Sequence, residues 1–150
     1  MAKNYPGITL YTFDAAAGRM PNVIERNLVW HTIDNGIQVT GRAIVRNNIV
    51  VDAGASGIAS QPNQGTPSDL EIVHNTVVGA SDSCFRANSW DGATGFVVAN
   101  NAFYCEASRA IRITSATTAI IAGNVVLGAV EGATTGFTTG IAVVIATLQV

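Results

Sequence analysis

Charge is scarce in this chain. Only 12% of its 150 residues are charged, and a single lysine, Lys3, stands beside seven arginines. The formal net charge is −2, with acid and base mixed along the sequence and no basic stripe. That argues against nucleic acid as a partner. Low charge beside an apolar content of 48% also excludes a disordered chain. No run approaches the ~18 consecutive apolar residues of a membrane-crossing helix. The opening residues lack the basic region and apolar run of a secretory signal. The expected location is extracellular if a leader was removed, and cytoplasmic otherwise. Two cysteines, Cys84 and Cys105, are too few to define a disulfide framework. Aromatics are few and glycines number fifteen, which points to many tight corners rather than helices.

What is present is a repeat. Five segments align without gaps: VIERNLVW, IVRNNIVV, EIVHNTVV, VVANNAFY and IIAGNVVL. Each carries one Asn at the same place: Asn27, Asn48, Asn75, Asn101 and Asn124. Three residues before it stand Ile24, Val45, Ile72, Val98 and Ile121. Two residues after it stand Val29, Val50, Val77, Phe103 and Val126. Both columns are wholly apolar, so both face an interior. A second strand begins nine residues after the Asn, with an apolar column of Ile37, Ile58, Phe85 and Ile111, and Phe137 after a delay of three residues in the last coil. The position before it is small throughout, as suits a corner where the backbone turns sharply: Gly36, Gly57, Cys84, Ala110 and Gly136. Residues 7–10 read as the second strand of a preceding coil, and 141–150 as the first strand of a following one.

An uneven repeat of about two dozen residues with period-two alternation describes a solenoid of short strands. No single coil can bury its own apolar face, so stability comes from stacking. Parallel crossovers are right-handed almost without exception. The expected fold is therefore all-β: a right-handed single-stranded parallel β-helix of about five to six coils with an Asn ladder. Residues 1–20 form an N-terminal segment, a partial first coil or cap, and residues 21–150 the coils, one continuous domain with it. An antiparallel sandwich would not align five Asn residues between apolar columns.

The RNNIVV and HNTVVG segments, each followed by Gly-Ile or an equivalent pair, resemble the parallel β-helix repeats of pectate-lyase-like proteins. The resemblance covers roughly residues 7 to 150 and implies a link to polysaccharides, by binding or by lyase or hydrolase chemistry. The family's catalytic patterns are missing: no Gly-His-Gly, no Asp-x-Asp, and Thr114 where Arg-Ile-Lys would end. No cofactor is expected, and calcium, which the family's lyases use, has no clear site; no metal ligands are assigned.

Candidate binding residues follow from the register. Arg86 and Arg112 occupy equivalent outward positions on successive coils and could grip carboxylates of an acidic polysaccharide. Asp82 and Asp91 flank Arg86, and Glu106 and Arg109 precede Arg112. A solvated face of weak salt bridges is the competing reading. Trp90 could stack on a sugar ring or pack on its own domain. His74, in a column with Asn47 and Asn100, is a general base or the cap of a polar stack at the bend. His31 and Asp52 share a column and can pair. Residues 54–69 read as the longest polar insertion. Cys84 and Cys105, on adjacent coils and at different corners by this register, form a disulfide if the ASDS turn folds back; buried thiols are the reading preferred.

A further column stands three residues after each Asn: Trp30, Val51, Val78, Tyr104 and Leu127. One residue after each Asn stand Leu28, Ile49, Thr76, Ala102 and Val125. Alternation turns both outward. An apolar strip over five coils is larger than a lone protein leaves wet. Segment 11–20, another copy of the chain or the rest of a longer β-helix would cover it. The expectation is a homo-oligomer or a section of a larger β-helix, and the alternative to a carbohydrate role is a non-catalytic scaffold.

Overall fold

The computed structural model describes residues 5–11, 20–115 and 118–139. Every strand pairing among them is parallel. The chain winds through three faces per coil. The first face stacks Asn22–Glu25, Gly41–Arg46, Ser68–Val73, Val97–Ala99 and Ile120–Ala122. The second stacks Leu28–Trp30, Ile49–Ala53, Thr76–Ala80 and the opening residues of the long strands Ala102–Ile113 and Asn124–Glu131. The third stacks Ile8–Leu10, Ile37–Val39, Ser56–Ser60, Ser83–Ala87 and the closing residues of those long strands. This is the right-handed parallel β-helix expected from the repeat.

The inward columns build the core. Val45, Ile72 and Val98 on the first face, Val50, Val77 and Phe103 on the second, and Ile37, Ile58, Phe85 and Ile111 on the third are all buried. Ile24 and Ile121 are less so, being nearest the ends of the stack. Phe85 and Phe103 stack at 5.9 Å and 10° across the core. Ile8 registers with Ile37, so residues 8–10 do form the third-face strand of a preceding coil.

The Asn ladder satisfies every polar atom it buries. Asn48 Oδ1 accepts from the backbone N–H of Asn27 at 3.1 Å and its Nδ2 at 2.9 Å. The same pair of bonds joins Asn48 to Asn75, Asn75 to Asn101 and Asn101 to Asn124. The remaining Nδ2 hydrogens of Asn48, Asn75, Asn101 and Asn124 reach the carbonyls of Ile24, Val45, Ile72 and Val98. A side chain with two donors and two lone pairs thus spends nearly all of them at a bend where the sheet ladder is interrupted.

Left-handed residues turn the corners. Arg26, Asn47, His74, Asn100 and Gly123 share one corner, with φ between 54° and 63°. His31, Asp52 and Gly79 share a second, and Arg42, Asp69 and Gly95 a third. Each column ends in glycine, where an added Cβ would stand 2.3 to 2.6 Å from the Oδ1 of Asn100, Asp52 or Asp69 in the coil before. His74 is therefore a corner residue, exposed and separated from Arg86 by the whole second face, and it contributes nothing to an arginine site.

Four expectations need correction. The third-face partner of Ile111 is Val130, not Phe137. Asn124–Glu131 runs straight from the second face to the third, aided by register shifts in Ala102–Ile113, so that Phe137 instead pairs with Asn124. The insertion at 54–69 is shorter than expected, because Ser56–Ser60 is a fully buried strand and Ser68 begins the next. Gly36 and Gly57 are small for close approach, not for a turn: a Cβ would meet Val50 Cγ1 at 2.4 Å and Val77 Cγ1 at 2.3 Å. Finally, Cys84 and Cys105 are bonded, with Cα atoms 5.8 Å apart. They lie on the inner side of one corner, Cys105 leaving the second face and Cys84 beginning the third. Residues 141–150 and segment 12–19 lie outside the described residues.

Candidate functional site

Arg86 and Arg112 register as neighbours on the third face, as the repeat requires. Asp82, in the turn before Arg86, anchors both. Its Oδ1 takes Arg112 Nη1 at 2.8 Å and lies 3.8 Å from Arg109 Nη1, and its Oδ2 lies 3.7 Å from Arg86 Nη1. The hydroxyls of Ser56 and Ser83 donate to the same carboxylate at 3.3 and 3.2 Å. Arg109 Nε reaches Glu131 Oε2 at 2.9 Å, and Arg86 Nη2 donates to the Gln61 side-chain carbonyl. Four coils thus supply one polar face, in which three guanidinium groups meet two carboxylates. The Nε atoms of Arg86 and Arg112 are buried and, among the described residues, unpartnered. Glu131 lies 3.5 Å from Arg112 Nε but outside hydrogen-bonding geometry.

Burial divides this face. Gln38 and Ala59, which precede Arg86 in the same outward column, are buried at 3% and 0% exposure. Arg109 and Glu131 keep 41% and 48% of their side-chain surface open. The accessible part therefore lies toward the C-terminal coils. No three His, Cys, Asp or Glu side chains gather as metal ligands among the described residues.

Trp90 leaves the candidate list. It is fully buried, stacks on Phe96 at 3.9 Å and 4°, and donates its indole N–H to Ser60 Oγ at 2.8 Å. An aromatic with both faces and its polar atom engaged has nothing left for a sugar. Asp91, beside it, is exposed. His31 does meet Asp52, at 3.3 Å, but both are largely solvated and the pair is worth little.

The second face carries the apolar strip. Leu28, Trp30, Ile49, Tyr104 and Val125 are exposed, Val51, Val78 and Leu127 half-buried, and the residues between them buried. A hollow of about 450 Å³ opens in it beside Val78, Gly79, Ala80, Tyr104 and Ala107. On the first face a groove of about 470 Å³ runs past Arg42, Asp69, Glu71 and Ile120. The left-handed corner columns were missed in the sequence, although the mixed Arg, Asn, His and Gly column before each ladder Asn was their signal.

Stacked parallel coils around a continuous apolar core, laced by an Asn ladder, define the class of right-handed β-helix solenoids. A family model described as "right handed beta helix region" matches residues 15–103, more than half of the chain, and the chain belongs to that family. No curated protein and no solved structure matches it.

Proposed function

We propose that this β-helix is a binding module for acidic polysaccharides, held at the arginine face of the third side. The observation that carries the reading is the excess of cation there: among the described residues, Arg86, Arg109 and Arg112 face two carboxylates, Asp82 and Glu131. Neighbouring coils repeat at ~4.8 Å, so one extended chain with regularly spaced carboxylates can contact several coils. Guanidinium groups pair with carboxylates in two-pronged geometry, which suits uronate recognition. The internal bonds to Asp82 fix the arginines before a ligand arrives, lowering the ordering cost of binding. Among the described residues of the face no general base is paired to a nucleophile, and the reading is binding rather than turnover. The enclosed Cys84–Cys105 disulfide supports an oxidising, extracytoplasmic setting, where such polymers occur.

The test is affinity electrophoresis of the full chain through gels containing polygalacturonate or a neutral glucan. Retardation is expected in the acidic gel alone, weakening with salt. The Arg86→Ala, Arg112→Ala double variant should lose it while keeping its strand circular dichroism. Equal mobility in both gels, or unchanged retardation of the folded double variant, would sink the assignment.

A further inference from the structure

The strip on the second face is independent of the arginine face. Its exposure is concentrated in large side chains: Trp30 is 60% exposed, Leu28 59%, Val125 51%, Ile49 47% and Tyr104 43%. With aromatic side chains offering about 150–250 Å² each, the strip totals on the order of 600–800 Å². That is near the ~800 Å² each partner gives to a standard interface, and at or above the ~300–600 Å² of the largest patch on a typical monomer. Its relief is complementary to itself. Trp30 projects at one end, and the hollow beside Val78 and Tyr104 lies beyond the Ile49–Val51 strand. Trp30 and Val78 register one coil before and one coil after Val51. A twofold axis lying in the plane between two such faces, along the strand direction at Val51, therefore sets Trp30 of each copy over the hollow of the other. The hollow's rim includes Glu106, whose carboxylate can accept the indole N–H that Trp30 must satisfy when covered.

We infer that two copies of this chain pair antiparallel through the second face, each seating Trp30 in the hollow bounded by Val78, Ala80, Tyr104 and Ala107 of the other. The interface is isologous, as twofold dimers are. Trp30 is the residue type and placement of an interface hot spot, a large aromatic entering a pocket.

Light scattering on a sizing column gives the molar mass, and tryptophan emission reports the seat. The chain has two tryptophans, and Trp90 is already buried, so a change in emission on dilution reports Trp30. The expected result is a species of twice 15.5 kDa whose emission shifts to the red as dilution dissociates it. Trp30→Ala should weaken the dimer by more than about tenfold. Ala107→Arg, an exposed position at the mouth of the hollow, should do the same from the opposite side without touching the core. Circular dichroism confirms that both variants fold. A 15.5 kDa species at every concentration overturns the inference, whether its Trp30 emission is red or is blue because the chain's own segments cover the strip. A dimer or larger species that survives both substitutions overturns it equally, by placing the contact elsewhere.

Discussion

Replacing Asn75 by alanine tests whether the amide ladder or the apolar columns hold the coils in register. Asn75 Oδ1 accepts two bonds from Asn48, from the backbone N–H at 3.1 Å and from Nδ2 at 2.9 Å. Asn48 is 1% exposed, so water cannot replace either partner. Alanine leaves two buried donors unpaired at about 1–3 kcal/mol each, and it frees the Val45 carbonyl as well. The expected loss is about 2–5 kcal/mol, a large share of the ~5–15 kcal/mol of a typical domain. Asn27 provides the control. Its Oδ1 accepts from no described group, and its backbone N–H still reaches Asn48 when the side chain is removed. Asn27→Ala should therefore cost only about 1 kcal/mol. Urea unfolding followed by circular dichroism measures both, with a lower midpoint and an unchanged slope expected for each. Equal losses at the two positions would refute the argument, because burial of the ladder atoms would then not set its strength.

Three further perturbations address other contacts. Reducing the Cys84–Cys105 bond, 21 residues apart, should cost about 3 kcal/mol by loop entropy, and thiol labelling of the reduced, still folded chain should be slow because both sulfurs are enclosed; rapid labelling of that reduced chain without denaturant would contradict their placement. Trp90→Ala should destabilise by about 3–5 kcal/mol while leaving glycan retardation intact once refolded at low temperature; selective loss of binding would return Trp90 to the site. Gly57→Ala should cost about 1–3 kcal/mol by overpacking against Val77, and Val77→Ala in the same chain should recover part of it; strict additivity of the two would show that they do not touch.

The apolar columns, the ladder and the outward strip were legible in the sequence because each depends on one register repeated five times. Once Asn27, Asn48, Asn75, Asn101 and Asn124 are aligned, period-two alternation decides which side each neighbour takes. The arginine pair came from the same count. What escaped was set by residues that leave the repeat. In the last coil, Asn124–Glu131 has no turn between faces, so Val130 reaches the third-face column early and the Gly-Phe pair at 136–137 falls into another role. Trp90 stands in a loop, and nothing local shows that its indole meets Ser60, thirty residues earlier. The disulfide was obscured by counting along strands: Cys105 leaves the second face within Ala102–Ile113 and Cys84 stands near the start of Ser83–Ala87, yet both line the same corner once the coils stack. The strain of the corners was visible only as a column of mixed polar residues and glycine, which share a backbone conformation rather than a chemistry.

The disulfide also divides the molecule mechanically. Cys84 and Cys105 sit in successive coils, so a pull on the two ends can peel away the outer turns while the loop between the sulfurs stays closed. The 21 residues it withholds correspond to roughly 70 Å of extended chain, at about 3.5 Å per residue. In a stretched oxidised molecule that length remains hidden, and a reductant releases it as one discrete step. The covalent tie thus makes the solenoid a spring with a fixed stop near its middle, set by where a single pair of side chains happens to round a corner.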